Sequence, residues 1–255
     1  MLFEIINFTT KKTLIILILA VLSNLSLGQD YKWVEPSEID TTVLMKSHSI
    51  RLKPTELTHF DYYFLDKKVI DSLTRNLGNH YQKSLEIERF QISKFKGRVK
   101  RDGDELFVKL RSGKWFQLIR NPDYDETGHS FEFYFEDFGF FSIRVQWGEG
   151  NAYKLINSKT GEVTNIIGRP FFSPDGSKIV ALGNDIEATY STNGFQLLSN
   201  NSGKITELGK FSPTSWGCKN AKWISNDKLI LINESIEFKA YEMNYFDFCT
   251  ELIID

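Results

Sequence analysis

The sequence has no marked excess of charge of either sign. Lys and Arg total 31 against 33 Asp and Glu, a formal net charge of −2. No strong field follows from that balance, so nucleic acid is not an expected partner. Cysteine and histidine are sparse: Cys218 and Cys249, and His48, His59, His80 and His129. Neither set has metal-ligand spacing, and no P-loop, G-x-S-x-G or H-E-x-x-H occurs. No metal and no cofactor is expected, and no nucleophile stands in an activating context. Proline is scarce, at six, and no stretch after the first 28 residues is of low complexity. Long apolar runs are also lacking. Only Leu14–Leu22 (LIILILAVL) is sustained, and it falls short of the roughly 20 residues that a membrane span needs.

That short run reads as the h-region of a secretory signal over residues 1–28. Lys11 and Lys12 precede it, and Ser26-Leu27-Gly28 follows with small residues at a cleavage site before Gln29. No Cys follows the run, which excludes a lipid anchor on a new N-terminal cysteine. The expected location is the periplasm or the extracellular space, without stable membrane insertion. Export would allow Cys218 and Cys249 to pair. Such a bridge closes a loop of about 30 residues and stabilises by about 3–4 kcal/mol in the loop-entropy picture. The alternative is two separately buried thiols.

What is abundant is aromatic. The 21 Phe, 10 Tyr and 5 Trp favour strands. From about residue 93 onward the chain alternates strand and turn. Leu106–Leu110 (LFVKL) and Trp115–Ile119 (WFQLI) flank a turn with Gly113, which makes a hairpin. Two later hairpins share one pattern: Tyr153-Lys-Leu155-Ile, NSKTGE, Val163-Thr164, and Phe195-Gln-Leu197-Leu, SNNSGK, Ile205-Thr206. Gly161 and Gly203 hold the same place in them, 42 residues apart. A period of about 40–45 residues with four strands per unit marks a propeller. Between two further apolar runs, Ser173-Pro174-Asp175-Gly176 is a tight turn: Pro presets φ, Asp accepts local N–H groups and Gly takes positive φ. Trp223–Leu229 (WISNDKL) repeats the theme in degraded form.

The stretch F-S-P-D-G-S-K-I resembles the strand-turn-strand element in the repeats of the Tol-system translocation protein and related WD-repeat-like exported bacterial propellers. The resemblance covers Phe171–Leu208 well, and Phe131–Ile167 and Ala221–Ile254 loosely. It implies an all-β, propeller-like array of about four antiparallel four-stranded units over residues 93–255. It implies little about function, because one fold carries many activities. Residues 29–92 read differently, as an N-terminal arm or cap. Within it Asp66–Leu77 places Val69, Ile70, Leu73 and Leu77 on one helical face, with Gly78 as a stop.

If each unit runs through four successive strands, the S-P-D-G, NSKTGE and SNNSGK turns share one face. The remaining loops converge on the other: Trp147–Gly150, Asn184–Asn193 and Phe211–Lys219. That face is the expected binding surface, with Trp147, Glu149, Asp185, Glu187, Tyr190 and Trp216 as its candidate residues. The alternative places Trp147 and Trp216 inside as hydrophobic plugs. Glu149 with Asp185 and Glu187 could supply the carboxylates of a glycoside hydrolase. Asp123, Asp125 and Glu126 in Asn121–Ser130 (NPDYDETGHS) have part of a calcium-loop spacing but not the rest. The same loop, if it protrudes, could serve an inhibitor or immunity-type protein. Lys94, Lys96, Arg98 and Lys100, read as one strand, fall on one face of an edge strand with Arg101 beside them. The expected function is non-enzymatic: a binding or scaffolding module for a protein or glycan of the cell envelope. A cell-envelope hydrolase is the rival reading.

Overall fold

The computed structural model describes residues 39–46, 48–61, 64–121, 125–239 and 242–255. The signal-like segment and Asp123 lie outside the described residues. Within them the body is all-β, with four antiparallel sheets of three to five strands and two helices. The chain enters through β1 (Thr41–Met45) and β2 (His48–Thr55), then α1 (Lys67–Thr74) and α2 (His80–Lys94). Three strands follow, β3 (Val99–Asp102), β4 (Glu105–Lys109) and β5 (Trp115–Leu118), and pair as a small sheet. The next sheet is β6 (Gly128–Phe135), β7 (Phe140–Trp147), β8 (Gly150–Asn157) and β9 (Val163–Ile166). Then come β10 (Arg169–Phe172), β11 (Lys178–Gly183), β12 (Gly194–Asn201) and β13 (Lys204–Phe211). The last sheet contains β14 (Trp216–Ser225), β15 (Lys228–Lys239) and β16 (Glu242–Ile254), and β2 and β1 complete it in the order β1-β2-β16-β15-β14.

The expected uniform four-strand count is therefore corrected to three, four, four and five. The reason is visible in the pairing. Cys249–Ile254 of β16 pair with Thr55–Ile50 of β2, so strands from near the start of the described chain close the sheet at its end. Ile50 and Leu52 of β2 are fully buried there, in one cluster with Leu229, Leu231 and Leu252.

The two middle sheets repeat one another in detail. Gly161 and Gly203 both take positive φ, 78° and 98°. The N–H of Ser158 donates to Gly139 O at 2.8 Å, and that of Asn200, 42 residues later, donates to Ser177 O at 2.7 Å. Each bond ties the last hairpin turn of a sheet to its first. The S-P-D-G turn forms as its residues require. Gly176 N–H donates to Ser173 O at 2.9 Å with φ 70°, and Asp175 Oδ1 accepts from Ser177 N–H at 2.9 Å. That bond, with those from the Ser173 and Ser177 hydroxyls, holds the Asp175 carboxyl below its ordinary range. The degraded Asn226-Asp227 turn joins β14 to β15 and bonds back: Asp175 N–H donates to Asn226 Oδ1 at 3.1 Å, and Lys178 pairs with Asp227 at 2.7 Å.

The expected disulfide does not form; Cys218 and Cys249 are both free and buried. Cys218 lies opposite Asn233 of β15 and Cys249 opposite Ile232, so β15 runs between them. Two strand spacings are about 9.6 Å, against the roughly 4.4–6.8 Å between Cα atoms that a disulfide needs. Ile232 and Asn233 are also consecutive, so their partners face opposite sides of the sheet. Cys218 joins the main core, and burial pushes its thiol up. Cys249 lies under the 56–60 segment, where its Sγ accepts from Thr58 N–H at 3.4 Å.

The basic run is also corrected. Lys94 ends α2, Gly97 turns with φ 81°, and only Val99–Asp102 are extended. The cations do not share a strand face. The Arg98 guanidinium lies over the Tyr134 ring at 4.9 Å and donates to its hydroxyl at 2.8 Å. Lys100 lies over Phe107 and Trp115.

Arg101 ties more of the fold together than the other cations of this run. Its Nη2 donates to Glu88 Oε2 at 2.7 Å and to His129 O at 2.6 Å, and its Nε also bonds Glu88. Glu88, on α2, is 1% exposed and accepts Phe131 N–H at 2.7 Å. Because β6 is the outer strand of its sheet, this N–H faces away from β7, and the helix carboxylate covers it. Removing one partner of such a buried pair leaves a charge without compensation. We expect Glu88→Ala to lower the unfolding free energy by about 3–5 kcal/mol. Glu86→Ala, which breaks only the surface pair with Arg89, should cost under about 1 kcal/mol. Urea titration of the two variants checks the difference.

Candidate functional site

Two of the three loops expected to converge, Trp147–Gly150 and Asn184–Asn193, meet around a cleft of about 370 Å³, and Phe211–Lys219 does not line it. Its walls come from the β7–β8 turn, the β9–β10 link, the β11–β12 loop and the first residue of α2. Glu149, Asp185 and Tyr190 line it together with His80, Arg144 and Asn151. At its base Gly168 has no room for a side chain, since a Cβ there would lie 1.7 Å from Leu182 O.

The loop that carries Tyr190 is held from within and from both sides. Asp185 Oδ1 accepts the N–H groups of Ala188 at 3.2 Å and Thr189 at 3.0 Å, and its Oδ2 accepts Ser191 N–H at 2.6 Å. Ser191 Oγ accepts Asn151 N–H from β8 at 2.8 Å. Asn193 donates to Pro213 O and Trp216 O, both at 2.7 Å, and Asn184 donates to Glu234 at 2.9 Å. Local turns and cross-loop bonds of this kind fix a backbone that would otherwise wander. Tyr190 stands on this frame with 58% of its surface exposed.

Three of the six candidate residues thus share the cleft. The others do not. Trp216 is 5% exposed and packs in the core against Phe211 and Phe248, with ring centroids 5.8 and 5.7 Å away. Its expected place on the binding face is corrected: β14 begins at this residue and its indole points into the sheet-to-sheet core, as the plug alternative had it. Trp147 is half-buried. Its indole covers Gly150, where a Cβ would lie 2.4 Å from Nε1, and it lines a neighbouring hollow of about 430 Å³ with Glu126 and Lys154. Glu187 is exposed and accepts the Tyr245 hydroxyl at 2.5 Å, away from the cleft, which raises the Tyr245 pKa.

The described part of the acidic loop folds back on itself. Glu126, half-buried, accepts Lys154 Nζ at 2.7 Å and Asn121 N–H at 2.8 Å and contacts His129 Nε2 at 3.0 Å. With those partners Glu126 is a latch. Among the described residues no group of three or more His, Cys, Asp or Glu could hold a metal ion.

Sequence reasoning missed four residues near the cleft: Arg144, Glu132, Lys83 and His80 as part of the site. Two carried a signal. Arg144 is a lone cation in Phe140–Trp147 (FFSIRVQW), and Glu132 a lone carboxylate in Phe131–Phe135 (FEFYF). A charge inside a buried strand has to be paired or functional. Glu132 Oε1 accepts the Tyr153 hydroxyl at 2.9 Å and Arg169 Nε and Nη2 at 2.9 and 2.6 Å, joining the two middle sheets.

No family model and no curated protein matches the chain. Among solved structures it is similar to TolB from Acinetobacter baumannii, at 13% identity and a TM-score of 0.28 over 60% of this chain and 39% of that one. The matched part is well under two thirds of that protein's length. A likeness this low carries no weight for the function of the site, which rests on its own geometry.

The latch beside the cleft has a pH signature. Burial works to raise the Glu126 carboxyl, but the bonds from Lys154, Asn121 N–H and His129 outweigh it and hold the group below 4.5. Burial, then the facing Lys154 charge, holds His129 below 6.5, against the opposing pull of Glu126. For both groups the unfolded chain binds the proton more readily, so stability falls as pH falls. The loss through His129 begins below about pH 6.5, and that through Glu126 below about 4.5. Urea midpoints measured from pH 8 to 3 should fall in two stages, and Glu126→Gln should reduce the lower one.

Proposed function

We propose that this protein is an exported, propeller-like, non-enzymatic binding module that holds a protein or a glycan of the cell envelope in the cleft beneath Tyr190. The carrying observation is a large exposed ring on a loop fixed by Asp185, Ser191 and Asn193, above a cleft with Arg144, Asn151 and Asn184. Exposed aromatics on rigid frames anchor interfaces, because little entropy is lost when they bind. Export is inferred from Leu14–Leu22 and its flanks. The propeller-like architecture is inferred from the 42-residue repeat and the equivalent turn bonds of the middle sheets.

The hydrolase reading has one observation in its favour: Glu149 and Asp185 line one cleft. Against it, both oxygens of Asp185 are occupied by backbone N–H groups. A glycosidase needs a second carboxyl group free to move a proton or attack a sugar. The inhibitor reading asks for a protruding acidic loop, whereas Glu126 ties down the described part of that loop.

The test is affinity capture from envelope extract with the wild-type chain, Tyr190→Ala and Trp216→Ala. Tyr190→Ala should keep its melting temperature and lose at least about 2 kcal/mol of binding, roughly thirtyfold. Trp216→Ala should instead lose about 3–5 kcal/mol of stability, as a buried Trp does when truncated. A Tyr190→Ala variant that keeps its partner at full affinity would move the binding face elsewhere.

A further inference from the structure

Behind the cleft lies a smaller hollow of about 190 Å³, between the helices and the β6–β7 face. It shares His80 and Arg144 with the cleft. Its size is below the range of drug-sized sites, so its occupant is small.

Its lining combines opposite charges with an apolar wall. Ile70 of α1 and Ile87 of α2 supply the wall. Lys83 and Arg144 supply cations. Arg144 Nη1 donates to Gln146 at 2.6 Å, which leaves the other donors of its guanidinium fork for a ligand. Arg169 also lines the hollow, but its Nε and Nη2 are engaged by Glu132.

Glu132 is the informative residue. It is 4% exposed and lines the hollow. Its Oε1 takes the Tyr153 and Arg169 bonds, whereas its Oε2 is buried without a hydrogen-bond partner. A buried acceptor left unmade is costly, and on a charged group more so. An arrangement with an unfilled carboxylate oxygen, cations close by and an aliphatic wall matches a molecule with a donor, a carboxylate and a short apolar tail.

We infer that this hollow binds a free α-amino acid with an aliphatic side chain, its carboxylate on Arg144 and Lys83 and its ammonium on Glu132, whose buried Oε2 turns toward the hollow to meet it. The aliphatic side chain lies against Ile70 and Ile87. Charge-assisted hydrogen bonds at both ends give the recognition its strength and its polarity. The inference goes beyond the proposed binding face, because Tyr190 does not line this hollow.

The test is calorimetric titration of the full chain with L-leucine and L-valine. The controls are N-acetyl-L-leucine, which lacks the ammonium, and L-leucinamide, which lacks the carboxylate. The free amino acids should bind, and each blocked form should bind at least tenfold more weakly. Lys83→Met, at a half-exposed position, should fold normally and weaken L-leucine at least tenfold while leaving L-leucinamide unchanged. Glu132→Gln should abolish binding. Because Glu132 also joins two sheets, Lys83→Met is the deciding variant if Glu132→Gln unfolds. Tyr190→Ala should bind L-leucine as the wild type does, which separates this result from the fate of the larger cleft. Heat only at the level of buffer for both amino acids, equal binding of acid and amide, or full affinity in Lys83→Met would each overturn the assignment. A hollow that holds only water would give the first of these.

Discussion

A single buried carboxylate fastens three elements of this chain. Glu88 meets Arg101 and the outward N–H of Phe131, and so joins α2, β3 and β6 at one point. Without that contact the outer edge of β6 would keep an unpaired N–H, and α2 would be left with the partly buried contacts of Ile87 and Ile92. The residues that α2 buries are Ser84, Glu88 and Gln91, none of them apolar. The helix's apolar contacts come from residues only partly buried, Ile87 and Ile92, which pack against the two cores; its most deeply buried polar contact is a hydrogen-bonded charge. Such a contact specifies one position for the helix, since a shift of one residue would leave the carboxylate stranded.

The position of α2 then determines the site. Its first turn brings His80 to the mouth of the cleft and Lys83 over the inner hollow. The strands supply the rest. β6 and β7 carry Glu132 and Arg144 on the face beneath the helix, and the β11–β12 loop carries Tyr190 above the opening. The last sheet reaches this loop through Asn193, which bonds the backbone on either side of the β13–β14 corner. Cleft and hollow thus depend on the same helix and on the same two middle sheets.

Much of this was legible in the sequence where local chemistry decides the outcome. The S-P-D-G turn, the Gly113 hairpin and the equivalence of Gly161 with Gly203 follow from φ preferences and alternation, and they form as those rules require. The face on which Glu149, Asp185 and Tyr190 meet followed from strand order alone. The extent of helix α2 was not legible, because a buried stripe of Ser84, Glu88 and Gln91 carries no apolar period. The entry of β1 and β2 into the last sheet was not legible either. Pairing between Ile50 and Ile254 is a long-range contact that no local pattern encodes. The cysteines misled for a related reason: their spacing suited a loop closure, but the intervening β15 holds them two strands apart on opposite faces. Trp216 misled because its place in a loop-like stretch gave no sign that β14 starts there.

If the cleft beneath Tyr190 receives the ligand, contact belongs to one end of β12 and not to the other. A photo-crosslinking amino acid placed at position 190 and, in a second variant, at position 202 tests this directly. The two positions sit beyond opposite ends of β12 (Gly194–Asn201), so one fold presents both probes. After irradiation in envelope extract, a discrete crosslinked species should form from position 190 and none from position 202. The same species from position 202, with none from 190, would refute the assignment and move the binding surface to the face of the tight turns.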